Sequence, residues 1–401
     1  MLTQYFQPEP IFKGLPLAKA FRERGHEVQV LTGFPNYPGG KLYDGYKQRG
    51  WQRESIDGVS VIRLPLYPSH NRSGMRRIAN YLSFGFSAAS LGPWLINKPD
   101  VIYIYNLITL GLSSRLIRRR TRCGVVVDVQ DLWPESVASS GMMRSKFAFN
   151  TLTRWCRHEY HHADRLIALS PGFKENLVSR GVPADKIDVI YNWCDETSIV
   201  LPEPDEATRR ELGFDDHFNI VFAGTMGVAQ ALDVVIECAQ LLQTRCPQVR
   251  FTLVGGGIDV ERLKAMAAPL ANVQFLPPVP QSEIGRVFAH ADALLVHLKD
   301  DPIFEITVPS KIQAYLYAGK PILCGVKGDA AKLVSEAGAG LTFEPQNAQS
   351  LADAVCNLAA KSAPELTSLG LAGKSYYHEH LAFAAGVTQI ETTLLAASQA
   401  R

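Results

Sequence analysis

The sequence predicts an α/β protein of two similar domains, each a parallel sheet covered by helices on both faces. Short apolar runs alternate with amphipathic helical stretches along the chain, the rhythm of such a sheet. A turn-rich stretch with two prolines, Asn192 to Pro204, interrupts that rhythm once. The 401 residues are also too many for one ordinary core. Domains are therefore expected at 1–195 and 200–374, facing each other across a cleft.

In the first half, the stretch after Gly14 places Leu15, Leu17, Ala18 and Phe21 on one helical side and stops at Gly25. Strands are expected at Val28–Leu31, Val59–Leu64, Val101–Tyr105, Val125–Val129, Leu166–Leu169 and Val189–Tyr191. The second half restarts with a strand at Ile220–Phe222, the turn G-T-M-G at 224–227 and a helix around Leu232–Leu242. Further strands are Phe251–Val254, followed by Gly255-Gly256-Gly257, then Val273–Leu276, Ala293–His297, Pro321–Cys324 and Leu341–Phe343. No short repeat and no low-complexity segment appears.

Phe304 to Gly325 is the most informative stretch. Pro309 suits the first turn of a helix and Gly319 its stop, which leaves a helix of about three turns between them. The start would direct the free N–H groups of Ser310, Lys311 and Ile312 outward, with the positive dipole end and an ammonium beside them. A phosphate suits that arrangement. Gly224, Thr225, Met226 and Gly227, and likewise Gly255 and Gly256, sit where a strand ends, and the glycines let backbone N–H groups approach a pyrophosphate. Together these features suggest one nucleoside diphosphate gripped by two loops and a helix end. Neither G-x-G-x-x-G nor G-x-x-x-x-G-K-S/T is present, which argues against a dinucleotide oxidoreductase or a P-loop enzyme.

The net charge of +2 conceals an asymmetry. Residues 1–195 hold 26 Lys and Arg against 16 Asp and Glu, a surplus of +10, so the remainder carries −8. The basic residues cluster at Arg72, Arg76 and Arg77, at Arg115 to Arg122, and at Arg154 and Arg157. Such clusters favour an anionic surface, and without the signatures of nucleic-acid modules the expected surface is anionic lipid. Asn80 to Ile96 carries no charge and is interrupted by Gly92-Pro93, which reads as a buried or membrane-facing helix rather than a span. No signal peptide is read at Met1, and seven scattered cysteines without a C-x-x-C pair imply a reduced cytoplasm.

V-P-S-K-I-Q-A-Y-L-Y-A-G-K-P-I-L at 308–323, A-G-T-M-G at 223–227, R-G-H-E-V at 24–28, T-G-F-P-N-Y-P-G-G-K at 32–41 and D-L-W-P-E-S at 131–136 together resemble bacterial family-4 glycosyltransferases. The similarity is to the O-antigen and capsule group that includes fucosamine transferase-like proteins. It implies a GT-B fold of two Rossmann-like domains, the C-terminal one binding a sugar-nucleotide donor and the N-terminal one an acceptor. It also implies retention of anomeric configuration without a required metal or cofactor, and a last helical segment, 375–401, that packs back on the first domain. The donor would be a UDP-sugar, with guanine the alternative base; the basic first domain and the Asn80 to Ile96 segment suit a polyprenyl-diphosphate-linked saccharide at the inner face of the cytoplasmic membrane as acceptor, with a soluble small molecule the alternative.

Carried over by position, Ser310 and Lys311 hold the donor diphosphate and Gly224 to Gly227 approach it. Relatives often place two Glu residues around this helix start, where Ile306 and Ala314 stand here. Glu305 and Gln313 lie one residue earlier at the same spacing, so Gln313 is a candidate for ribose contact and Glu305 for the sugar. Gln130-Asp131 stands where relatives carry His-Asp, which makes Asp131 the candidate to position or deprotonate the acceptor beside Gln130. Glu9, Lys13 and Gly14, in the loop Gln4 to Gly14, are candidates for acceptor contact. Lys311 is the expected cation for the leaving group. Met1-Leu2 is a short lead into T-Q-Y-F-Q-P-E, so the start is truncated or the first strand brief.

Other readings have their own features. His158-Glu159-Tyr160-His161-His162 satisfies the H-E-x-x-H zincin pattern, without an obvious third ligand. The missing Glu pair allows a catalytically idle sugar-nucleotide binder, and a GT-B epimerase would alter the sugar with no acceptor.

Overall fold

The computed structural model describes residues 1–69, 74–105, 108–134, 145–214 and 217–399. It divides into two compact units: Met1–Leu169 with Phe173–Ile190 and Val387–Arg401, and Ser170–Gly172 with Tyr191–Gly386.

Among the described residues the first unit contains seven strands: β1 (Gln29–Gly33), β2 (Gln52–Ile56), β3 (Val59–Leu64), β4 (Val101–Tyr105), β5 (Gly124–Val129), β6 (Arg165–Ala168) and β7 (Ile187–Val189). They run in the orders β1-β3-β2 and β4-β5-β6-β7, and Leu2 joins the two groups by pairing in parallel with both Leu31 and Ile104. Its N–H donates to Tyr103 O at 2.8 Å and its carbonyl accepts from Tyr105 N–H at 3.1 Å. β2 pairs antiparallel with β3 and was not expected, because Q-R-E-S-I is too polar to read as a strand. Helices Gly74–Leu95, Gly111–Thr121 and Lys146–His162 also belong to this unit.

From Val387 the helix Phe383–Gln399 is part of the first unit. Glu391 pairs with Arg24 and His26, each at 2.6 Å, and Thr393 donates to Asp188 at 2.8 Å. The return thus begins about a turn of helix into that element.

The second unit contains β8 (Phe218–Ala223), β9 (Val249–Val254), β10 (Val273–Leu276), β11 (Ala293–His297), β12 (Ile322–Gly325) and β13 (Gly340–Thr342). All pairs are parallel, in the order β10-β9-β8-β11-β12-β13. Counted from β8, this is the 3-2-1-4-5-6 order of a Rossmann sheet. Its direction of progression reverses between β8 and β11, and a crevice is expected beyond the C-terminal ends of those two strands. The core beneath packs Ile220 and Phe222 with Val235 and Leu242 of helix Asp233–Arg245 and with Leu351 and Val355 of helix Ala348–Ala359. Cys246 and Cys356 form a disulfide between these helices, against the reading of all cysteines as reduced. Their 110-residue separation in sequence hid the pairing.

Candidate active site

At the reversal point two glycine turns lock together. The Gly224 N–H donates to Val254 O and the Met226 N–H to Gly256 O, both at 2.8 Å, which ties the turn after β8 to the turn after β9. Gly255 takes φ +136°, and a Cβ there would collide with the Gly224 carbonyl, so only glycine fits. Gly224 and Thr225 are exposed while the Met226 side chain is buried beneath them. The Gly227 N–H is taken by Gln230 Oε1 at 3.1 Å and is not offered to a ligand. His297, at the end of β11, braces this loop: its Nδ1 stands 2.7 Å from Gln230 O, while Nε2 accepts from Gln346 N–H at 2.9 Å. Burial lowers the His297 pKa and favours the neutral ring that this pairing requires.

The helix Ser310–Ala318 begins after Pro309, which is the N-cap rather than a member of the first turn, and ends at Gly319 with φ +66°. The N–H groups of Ser310 and Lys311 have no intrahelical acceptor. That of Ile312, expected to be free, donates to Pro309 O at 2.9 Å. Gln313 also departs from its expected place: it is buried, and its amide nitrogen, oriented toward the carbonyls, reaches Pro309 O at 2.9 Å and Ser310 O at 3.1 Å. It fastens the helix start instead of reaching outward. Glu305 is exposed at the end of the short helix Pro302–Glu305.

Lys311 joins the two features. Its Nζ is buried without a hydrogen-bond partner among the described residues, lies 3.4 Å from the Phe222 ring centroid, and stands 2.8 Å from where a Gly224 side chain would begin. Burial pulls its pKa down to about 7. An orphaned ammonium beside exposed glycine backbone and two helix N–H groups without an intrahelical acceptor is an electrostatic cradle for a diphosphate.

The loop residues of the first unit are more deeply built in than expected. The Glu9 carboxylate accepts from the N–H groups of Phe6 (3.0 Å), Asn36 (2.7 Å) and Tyr37 (2.8 Å), although desolvation still raises its pKa. Lys13 is fully buried in a 2.7 Å ion pair with Asp128, which also receives the Tyr103 hydroxyl and the Gln130 amide. Glu9, Lys13 and Gln130 therefore shape the loop from within, and Gly14 packs against Gln7 and Ile11 where a Cβ would not fit. Asp131 is exposed just past the end of β5. Asp128 was missed in sequence, although a carboxylate inside the apolar run V-V-V-D-V must find a partner.

In the H-E-x-x-H segment the middle carboxylate is engaged within the protein. Glu159 is buried, accepting from Trp155 Nε1 and pairing with Arg115, both at 2.9 Å. Among the described residues no group of three or more His, Cys, Asp or Glu side chains is arranged to hold a metal ion. Helix Gly74–Leu95 buries Phe84 and Ala88 but exposes Met75, Leu82, Phe86 and Trp94, and Arg120 stacks on Trp94 at 4.3 Å. Arg72, Glu135 and Ser136 lie outside the described residues.

Residues 15–193 match the glycosyl transferase 4-like domain and residues 217–361 the glycosyl transferases group 1 domain. The putative colanic acid biosynthesis glycosyl transferase WcaI of Escherichia coli K12 is 27% identical over 308 residues, 74% of either chain. A GDP-mannose-dependent alpha-mannosyltransferase of Mycolicibacterium smegmatis is 24% identical over 332 residues, covering 80% of this chain and 77% of that one. Among solved structures, Anabaena HepE in complex with UDP-glucose superposes with a TM-score of 0.66 at 18% identity, over 99% of this chain and 100% of that one. WaaG, a glycosyltransferase involved in lipopolysaccharide biosynthesis, superposes at 0.63 and 16% identity, over 98% of both. Two Rossmann-like units of this kind define the GT-B class. The chain belongs to family 4 of the GT-B glycosyltransferases, enzymes that draw on a nucleotide sugar.

Proposed function

We propose that the enzyme moves a sugar from a UDP-sugar to a saccharide carried on a polyprenyl diphosphate, with retention of configuration, in the assembly of a bacterial surface polysaccharide such as O-antigen or capsule. The observation that carries this reading is the orphaned Lys311 ammonium between the Gly224 turn and the start of helix Ser310–Ala318. Departure of the nucleoside diphosphate builds negative charge at that point, and the fixed ammonium and helix N–H groups stabilise it without reorganising. Lys311 thus supplies by itself the cation that a metal would otherwise bring, and we take the reaction to need no metal or other cofactor. The acceptor hydroxyl attacks from the face the diphosphate leaves, Asp131 positions it, and Glu305 faces the sugar.

The first domain would meet the inner face of the cytoplasmic membrane. The apolar stripe of Met75, Leu82, Phe86 and Trp94, next to Arg76 and Arg120, has the composition of an interfacial helix on anionic lipid. A thermal-shift panel of nucleoside diphosphate sugars tests the donor: a UDP-sugar should raise the Tm in proportion to the logarithm of its concentration. Indifference to every nucleotide would remove the reading. Transfer of the stabilising sugar to extracted polyprenyl-linked saccharides then tests the acceptor.

A further inference from the structure

We infer that the first unit carries a pocket for the phosphate headgroup of an anionic membrane lipid, between helices Gly111–Thr121 and Lys146–His162. The inference rests on the membrane contact proposed above and adds a discrete site to it. A cavity of about 920 Å³ lies there, floored by Ile104, Val125 and Val127 and rimmed by Lys98, Arg115, Arg118, Arg119 and Arg122. Five cationic side chains thus face one lining carboxylate, Glu159.

Two of the five are already engaged. Arg115 pairs with Glu159 and Arg118 with Asp164, both at 2.9 Å. The side chains of Lys98, Arg119 and Arg122 have no hydrogen-bond or ion-pair partner among the described residues. An unbalanced positive rim over an apolar floor suits an amphiphile whose head is a phosphate.

The place of the cavity separates it from the acceptor. Lys98 precedes β4, Arg122 precedes β5 and His162 precedes β6, so the cationic rim stands at the N-terminal edge of the sheet. Asp131 follows β5 at the opposite edge. The helix Gly111–Thr121 also links the rim to the bilayer face. Arg115 and Arg118 recur at i and i+3 on one side, with Arg122 following at the left-handed C-cap, while Leu112 and Leu116, 46% and 38% exposed, occupy the adjoining side with Arg120 against Trp94. A protein resting on Leu82, Phe86 and Trp94 would bring this rim to headgroup level.

The test uses the full-length protein, the triple variant K98Q/R119Q/R122Q and the stripe variant F86S/W94S, each checked for its circular dichroism. Titration with dihexanoyl phosphatidylglycerol below its micelle concentration should saturate at one lipid per protein. The triple variant should bind it about tenfold or more weakly, while the stripe variant binds as the parent does. Flotation with phosphatidylglycerol vesicles should instead be lost in the stripe variant. Absence of one-to-one binding by the parent, or undiminished binding by the triple variant, overturns the pocket. Glycerol phosphate or inorganic phosphate binding as tightly as the lipid overturns the lipid as its occupant. A parent that ignores vesicles yet binds the short-chain lipid refutes the membrane contact and leaves the pocket standing.

Discussion

Lys311 Nζ lies 3.4 Å from the centre of the Phe222 ring, the last aromatic of β8 before the glycine turn. The ring supplies the one favourable contact the ammonium has among the described residues, and it does not replace the water lost on burial. The ammonium is therefore held in an unfavourable state until an anion reaches it.

Replacing Lys311 by Met should stabilise the free protein in a pH-dependent way. The folded pKa, about 7, lies below the unfolded value of 10.5, so the unfolded chain binds the extra proton between those limits. Stability of the parent rises with pH across that window. The gain in Tm from Lys311→Met should be largest near pH 6 and shrink toward pH 10, measured by calorimetry. A gain independent of pH would contradict the assignment.

The same proton should govern donor affinity. Binding of a diphosphate favours the charged form, so UDP should bind with proton uptake above pH 7 and weaken by about tenfold per pH unit there. Calorimetry in buffers of different ionisation enthalpy reads the uptake directly. In turnover, Lys311→Ala should cost about tenfold or more, with loss of the stabilised leaving group.

Asp128 and Asp131 should separate cleanly. Asp128→Asn strands the buried Lys13 ammonium and should destabilise by about 3–5 kcal/mol. The double variant D128N/K13M should recover much of that loss. Asp131→Asn, at an exposed position, should leave denaturant stability within about 0.5 kcal/mol and lower kcat. The two readouts, urea unfolding and initial rate, keep the roles apart.

Gly255→Ala should lower stability by about 1–3 kcal/mol, since φ +136° is strained for any side chain and the Gly224 carbonyl blocks the Cβ. Because the same carbonyl belongs to the turn proposed above to meet the donor, nucleotide affinity should fall as well. An unaltered Tm would show that the two turns are not locked together.

Much of this was legible in sequence, for local reasons. Pro309 and Gly319 mark the helix, and the apolar runs mark the central strands, because these signals depend on neighbours a few residues away. What escaped was decided at a distance. Gln313 turned inward because helical side chains lean toward the N-terminus, where two carbonyls waited. Lys13 and Asp128 meet across 115 positions, and nothing near either announces the other. Polar β2 is a strand only because β3 offers it an edge.

Since Tyr191–Gly386 lies between Ile190 and Val387 of the first unit, that unit is interrupted in synthesis as well as in sequence. On a ribosome adding about 5–20 residues per second, its closing helix emerges only after the whole second unit has been made, roughly ten to forty seconds later. The second unit can mature first, while the first waits for the helix Phe383–Gln399. On the function proposed above, newly made enzyme would hold donor before it can settle on a membrane.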